Sequence, residues 1–380
     1  MAEKVKLAEI PSMTVQKVVN KLSKAYVSLI KNNIPLSKYP SVMLWGQPGV
    51  GKSAAIHQIK EVIEKETGKH VDVRDVRLLL FNPIDLRGIP FPDEEAGEKV
   101  ARWLKPTLFK LNPSDDYINI IFLDEISSAP QSVQAAAYQI TLDHKVGEHK
   151  LPENTIVIAA GNRVTDRSVA YKMPKALSNR LLHFEVDADI DSWKKWAIAN
   201  DIHPTVMGFL AFKPTLLNNF DSNNDSLAYA TPRSWEMVSN LLNYVDDDVD
   251  NMYDQISGLI GSGAAIELRS WWKLYSDLPT PKDIFAGKAT KLPSNPSAIF
   301  ALTCSLISYM KKHKDDLKGI INSIKYASKF PRDFSVIMME AYLSADEELQ
   351  SRLMSVPEFV RWMGDNVSVM NGQLYGKPQA

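Results

Sequence analysis

The sequence predicts an α/β fold: a parallel sheet with helices on both faces, three layers in all, followed by helical regions. Five short apolar runs, 42–45, 71–76, 118–123, 155–160 and 181–186, are spread through the first half of the chain. Two of them are nearly continuous rather than alternating, as strands covered on both faces must be. Helical periodicity over 54–66 and 132–143 separates several of the runs, the strand and helix alternation of a parallel sheet.

Taken in order, apolar positions Val15, Val18, Val19, Leu22, Ala25, Tyr26 and Leu29 recur at helical spacing, so a helix over 13–32 leads into the first strand. The sheet-bearing part ends near residue 187. Beyond Asp189 helical patterns dominate, over 191–199, 204–212, 234–244 and 252–275. A Pro-rich passage, 278–297 with Pro279, Pro281, Pro293 and Pro296, reads as a boundary. Helical patterning resumes over 298–309, 317–326, 335–343 and 347–354, and the polar end, 372–380, is expected to fray. The expected division is therefore an α/β core with an N-terminal helix over 1–187, a helical region over 188–285, and a linker with a helical extension over 286–380.

The sharpest local signal follows the first strand. Gly46-Gln47-Pro48-Gly49-Val50-Gly51-Lys52-Ser53 is a complete phosphate-binding loop, with an apolar strand before it and an amphipathic helix, beginning near Ala54, behind it. Glycines let successive backbone N–H groups converge on phosphate oxygens, and the helix N-terminus adds partial positive charge. Lys52 then reaches the terminal phosphates and the Ser53 hydroxyl holds Mg²⁺. The strand over 118–123 ends in Asp124 and Glu125, where carboxyl ends of parallel strands line a crevice. Asp124 is read as the second holder of Mg²⁺, and Glu125 as the base that polarises the attacking water. The strand over 155–160 runs out at Gly161-Asn162. Asn162 either caps the next turn or orients the water and reads the γ-phosphate; its place one strand beyond the acidic pair favours the second role.

With these motifs the chain resembles the AAA+ ATPases: the phosphate loop, Leu123-Asp124-Glu125-Ile126, Ala159-Ala160-Gly161-Asn162, Ala176-Leu177-Ser178-Asn179-Arg180 and Ala230-Thr231-Pro232-Arg233 stand in that family's order. Within the family it is similar to the MoxR branch, through Pro83-Ile84-Asp85-Leu86-Arg87-Gly88, a hairpin around 93–97, and a second insertion over 145–152. The resemblance covers roughly residues 15 to 285. It implies an α-helical lid over 188–285. It also implies a homo-oligomer, as a hexameric ring, in which Arg180 reaches the neighbour's γ-phosphate and Arg233 reaches the nucleotide from the lid. Arg163 and Arg167 are rivals for the first role, and a surface ion pair or an ordinary helix start are the plain readings of Arg180 and Arg233.

Bulk properties set the other bounds. The chain has 380 residues, 45% hydrophobic and 23% charged, an ordinary globular composition. Lys plus Arg total 44 against 45 acids, so no global field draws nucleic acid or an anionic membrane. The Lys311 to Lys329 cluster is interleaved with Asp315 and Asp316 and reads as a solvated face. The lone Cys304 sits in an apolar stretch as a reduced core thiol, and no run is long and apolar enough for a membrane span. A cytoplasmic setting is expected. His144 and His149 lack zinc-site spacing, and 246–250 reads as a helix end followed by a helix start.

The function expected is Mg²⁺-dependent ATP hydrolysis coupled to remodelling or maturing a protein partner. The chain has no Asp-x-Ser-x-Ser, so a metal-adhesion site of von Willebrand type would belong to a separate partner protein. Two alternatives come from other classes: a nucleotide-gated assembly scaffold and a nucleic-acid motor subunit.

Overall fold

The computed structural model describes residues 10–95, 97–163, 166, 173, 178–222, 224–245, 248–275, 278–345 and 347–374. The chain forms two compact units, Met1–Ser192 with Phe220–Asp225, and Trp193–Asn219 with Ser226–Ala380.

The first unit is built on a six-stranded sheet of β1 (Ser12–Thr14), β2 (Val42–Trp45), β3 (His70–Arg77), β6 (Tyr117–Asp124), β9 (Thr155–Gly161) and β10 (Leu182–Asp187). Their order is β1-β10-β2-β9-β6-β3, and every neighbouring pair is parallel. Two antiparallel hairpins stand apart from it, β4 (Ile89–Glu95) with β5 (Glu98–Leu104) and β7 (Lys145–Val146) with β8 (His149–Lys150).

Strand alternation explains the layers. Val42, Leu44, Ile118, Ile120, Phe122, Ile156, Ile158 and Ala160 face one side, where they pack with residues of α1 (Val15–Lys31) and α2 (Lys52–Thr67). Met43, Ile121, Leu123, Val157 and Ala159 face the other, packing with Leu86 of α3 (Pro83–Arg87) and with Val133, Ala136, Ala137 and Ile140 of α4 (Gln131–Asp143). Asn119 is fully buried within the apolar run of β6, yet its amide is satisfied: Nδ2 donates to Asn112 O at 2.8 Å and to Asn154 Oδ1 at 3.1 Å, and Oδ1 accepts from Asn112 N. In space β2 lies between β9 and β10, neither of which adjoins it in sequence. Such a reversal opens a crevice at the carboxyl ends of the strands.

The second unit is helical, from Pro204–Phe212 through Pro232–Tyr244, Pro296–Lys312 and Arg332–Leu343 to Pro357–Leu374. Three expectations shift here. The single helix expected over 252–275 is two, Tyr253–Ile260 and Ser262–Tyr275, parted by Gly261 at φ 81°, where a Cβ would lie 2.8 Å from the Ala228 carbonyl oxygen. The stretch 278–297 contains the short helix Pro281–Phe285. Residues 372–374, expected to fray, complete the last helix, whereas 375–380 lie outside the described residues. Of the acidic run, Asp246 and Asp247 are also outside them, and Asp248 Oδ1 accepts the N–H groups of Asp250 and Asn251, both at 2.9 Å, in the turn before Tyr253–Ile260. Among the clustered lysines, Lys311 pairs with Asp201 and Lys325 with Glu358. Among the described residues no helix is long and apolar enough to cross a membrane.

Helix Pro296–Lys312 packs directly on Pro204–Phe212. Gly208 is the point of closest approach: a Cβ there would meet Ala301 Cβ at 2.4 Å and the Trp271 ring at 2.9 Å. Trp271 is buried and packs edge-on against Phe209, with ring centroids 6.0 Å apart. At the start of the same helix His203 serves as N-cap, its Nδ1 accepting the Thr205 N–H at 3.2 Å. Burial, followed by the charge of Lys312, pushes the His203 imidazole down to about 4.

Two outcomes follow from this packing. Gly208→Val should cost about 1–3 kcal/mol through overpacking, read as a lower midpoint in urea. Because the folded pKa of His203 lies below its ordinary value of 6.5, the unfolded chain takes up a proton first as pH falls, and stability is lost from about 6.5 downward toward 4. His203→Asn keeps a capping acceptor and removes the titration. Its melting temperature should fall less than that of the parent between pH 7 and 4.5, by about 2–4 °C for each kcal/mol no longer lost.

Candidate functional site

The phosphate loop leaves β2 and turns into α2. Gly49 and Gly51 hold φ of 77° and 101°, a region open to glycine at little cost. Gly46 is required for another reason: a Cβ there would sit 2.6 Å from the backbone carbonyl oxygen of Val186 on β10. The first helical bond of α2 runs from Ala55 N to Gly51 O at 3.0 Å, so the N–H groups ahead of it, through Ala54, stand at the helix start where an anion is favoured.

Lys52 is 8% exposed, and its ammonium donates to Gly46 O at 2.7 Å, Gln47 O at 2.9 Å and Asn162 Oδ1 at 3.1 Å. A buried ammonium needs such acceptors. The contact to Asn162 joins the end of β9 to the loop after β2. Asn162 is itself placed by its backbone, whose N–H donates to Ser127 Oγ at 2.9 Å. Ser127 is buried and so close to Gly161 that a Cβ on the glycine would lie 2.7 Å from the hydroxyl.

At the end of β6, Ser53 Oγ donates to Asp124 Oδ2 at 3.3 Å, and Asp124 Oδ1 accepts the Glu125 N–H at 2.9 Å. Glu125 has φ 57°, a left-handed conformation uncommon outside glycine, and its carbonyl accepts the N–H groups of Ser128 and Ala129 in a tight turn. Among the described residues the structure thus joins Lys52, Ser53, Asp124 and Asn162 through direct contacts, with Glu125 adjoining Asp124 in the chain.

The arginines divide. Arg163 is closed in by Asp166 and Glu185 of its own chain, with Nε 3.2 Å from Asp166 Oδ1. Burial pulls its guanidinium down, but hydrogen bonds to Asp166 and Glu185 outweigh this and leave it raised. Arg180 is exposed in the turn before β10 and has no ion-pair partner among the described residues. Arg167, together with Ala176 and Leu177, lies outside the described residues. Arg233 belongs to the second unit, exposed in the first turn of Pro232–Tyr244, where Thr231 caps Ser234 N.

Sequence reasoning missed two features of the site. Ser127 carries no motif, and only the approach of β9 to the turn after Glu125 reveals its part. Asp75 on β3 is raised first by partial burial and next by the charge of Asp124. An acid in an otherwise alternating edge strand gives no sign of the carboxylate across the sheet.

Gly46→Ala forces the loop away from β10. ATP affinity, measured by titration calorimetry, should weaken by about tenfold or more, equivalent to at least about 1.4 kcal/mol, while far-ultraviolet circular dichroism stays unchanged.

No protein-family model matches the chain, and no curated protein matches it. Among solved structures, a point mutant of Thermotoga maritima RuvB is 15% identical over 77% of this chain and 83% of that one, with a TM-score of 0.32. C. elegans PCH-2 is 12% identical over 77% and 67%, with a TM-score of 0.34. Aeropyrum pernix ORC1, solved in complex with DNA, is 12% identical over 71% and 70%, with a TM-score of 0.36. At these scores the likenesses carry no weight for the chemistry of this chain, which rests on the geometry above.

Proposed function

We propose that this chain is an Mg²⁺-dependent ATPase of the AAA+ type, similar to the MoxR branch, working as a ring-forming homo-oligomer that remodels or matures a protein partner. One observation carries the reading. Lys52 of the phosphate loop contacts Asn162 at the end of β9 at 3.1 Å, and its chain neighbour Ser53 contacts Asp124 at the end of β6 at 3.3 Å, so the four meet at adjacent strand ends.

The donor set suits the expected metal: the Ser53 hydroxyl and Asp124 carboxylate are both oxygen donors, 3.3 Å apart, the hard ligands a small divalent cation takes beside its waters. Bound there, Mg²⁺ would neutralise charge on the phosphates. The remaining chemistry is that of the chain's own residues. Lys52 exchanges its contacts with the Gly46 and Gln47 carbonyls for phosphate oxygens. Asn162, held through Ser127, orients the attacking water, and Glu125 accepts its proton. Arg180 supplies positive charge to a neighbouring protomer's γ-phosphate, which requires an assembly and closes into a ring if the contact is heterologous. Arg233 carries nucleotide state to the helical part, within the division into core, lid over 188–285 and extension over 286–380.

A protein partner is favoured by the β4–β5 hairpin. Ile89 and Leu104 are register partners and share a face with Phe91, and all three are more than half exposed, at 61%, 56% and 56%. Exposed apolar clusters of this kind mark interaction surfaces.

Glu125→Gln should retain ATP binding and lose about 10²–10⁴ in turnover, and Arg180→Ala should lose about 10³ or more. Mixing these two inactive proteins tests the assembly. Turnover should reappear where an intact Glu125 faces an intact Arg180 of the other protomer. A mixture as inactive as its components refutes the trans role of Arg180.

A further inference from the structure

Trp45 ends β2 and immediately precedes Gly46. Its indole N–H donates to Nδ1 of His183 on β10 at 2.9 Å. The ring planes are nearly parallel, 15° apart, with centroids 6.1 Å apart. The other imidazole nitrogen, Nε2, lies 2.6 Å from the carbonyl oxygen of Ser178. Indole N–H only donates and a carbonyl only accepts, so the two contacts fix the tautomer: Nδ1 bears the lone pair and Nε2 the hydrogen.

The carbonyl of Ser178 also accepts the N–H of Leu181 at 3.4 Å, closing the turn that carries Asn179 and Arg180. A single imidazole therefore spans from the strand feeding the phosphate loop to the turn that presents the arginine. Packing alone does not need this arrangement, since an apolar ring would fill the same space. What the imidazole adds is one acceptor and one donor at opposite edges, matched to fixed partners. Arg163 is bound by carboxylates of its own chain and is not free to be presented.

We propose that His183 is a positioning residue, which through Trp45 and the Ser178 carbonyl holds the Arg180 turn in register with the phosphate loop of its own protomer. The cation offered to a neighbour is then set by the loop that a protomer itself holds. This inference rests on the assignment of Arg180 as the trans-acting arginine.

A double-mutant cycle on the full chain tests it, with turnover and ATP affinity measured separately. His183→Phe should lower kcat about tenfold and leave the Kd for ATP within about twofold. His183→Gln, whose amide offers one acceptor and one donor, should restore at least half of the lost rate. Added to Arg180→Ala, His183→Phe should have no further effect, because both changes remove the same contribution. Trp45→Phe removes the donor from the other end and should behave as His183→Phe does, which keeps the test intact should one variant fail to fold.

Unchanged kcat in His183→Phe, effects that multiply with Arg180→Ala, or a tenfold loss of ATP affinity would each overturn the positioning role. If Arg180→Ala itself turns over normally, the arginine assignment falls instead, and the functional reading falls with it. A crippled Arg180→Ala beside a silent His183→Phe removes only the inference about His183.

Discussion

Burying the ammonium of Lys52 is the constraint on which the rest of the site depends. An amine removed from water must find acceptors, and here they are two carbonyls of its own loop and the amide of Asn162. The first two bend the loop back on itself, and the third fixes the distance between the ends of β2 and β9. Those ends are neighbours only because the strand order sets β9 beside β2. Sheet topology, loop conformation and side-chain placement thus answer to one desolvated charge, and phosphate oxygens are the natural replacements for the acceptors it now uses.

Support for this arrangement comes from backbone contacts rather than from further charges. Gly46 lies against the Val186 carbonyl, Gly161 against the Ser127 hydroxyl, and Asn162 N–H bonds that same hydroxyl. Each is a place where a larger or differently shaped residue would move a strand end, and with it a group poised at the crevice. The acidic pair follows a similar logic. Asp124 receives one hydrogen bond from Ser53 and one from the backbone of Glu125, which leaves the Glu125 side chain outside that pairing.

Much of this was legible in the sequence because parallel strands buried on both faces produce apolar runs that stand out from helices, and because the loop and the acidic strand end have fixed spacings. β1 was not legible: three residues paired only at their edge with β10 leave no periodicity. Gly261 hid a break inside an unbroken apolar pattern, since the pattern records which residues are buried and not where the chain reverses hand. The last helix, Pro357–Leu374, escaped notice because its polar end resembles a tail. Ser127 and His183 were silent for a deeper reason. Their roles arise from contacts over 35 and 138 positions, Ser127 with Asn162 and His183 with Trp45, and no local pattern encodes them.

The left-handed backbone at Glu125 has a consequence for how such a chain can change. A side chain held there costs of order 1 kcal/mol or more relative to glycine. Pressure for heat tolerance alone therefore pulls this position toward glycine or asparagine, away from the carboxylate. A lineage that no longer needed turnover would drift along that slope, gaining robustness as it lost its chemistry. Under the role proposed for Glu125, the acid at residue 125 stands against the grain of the fold.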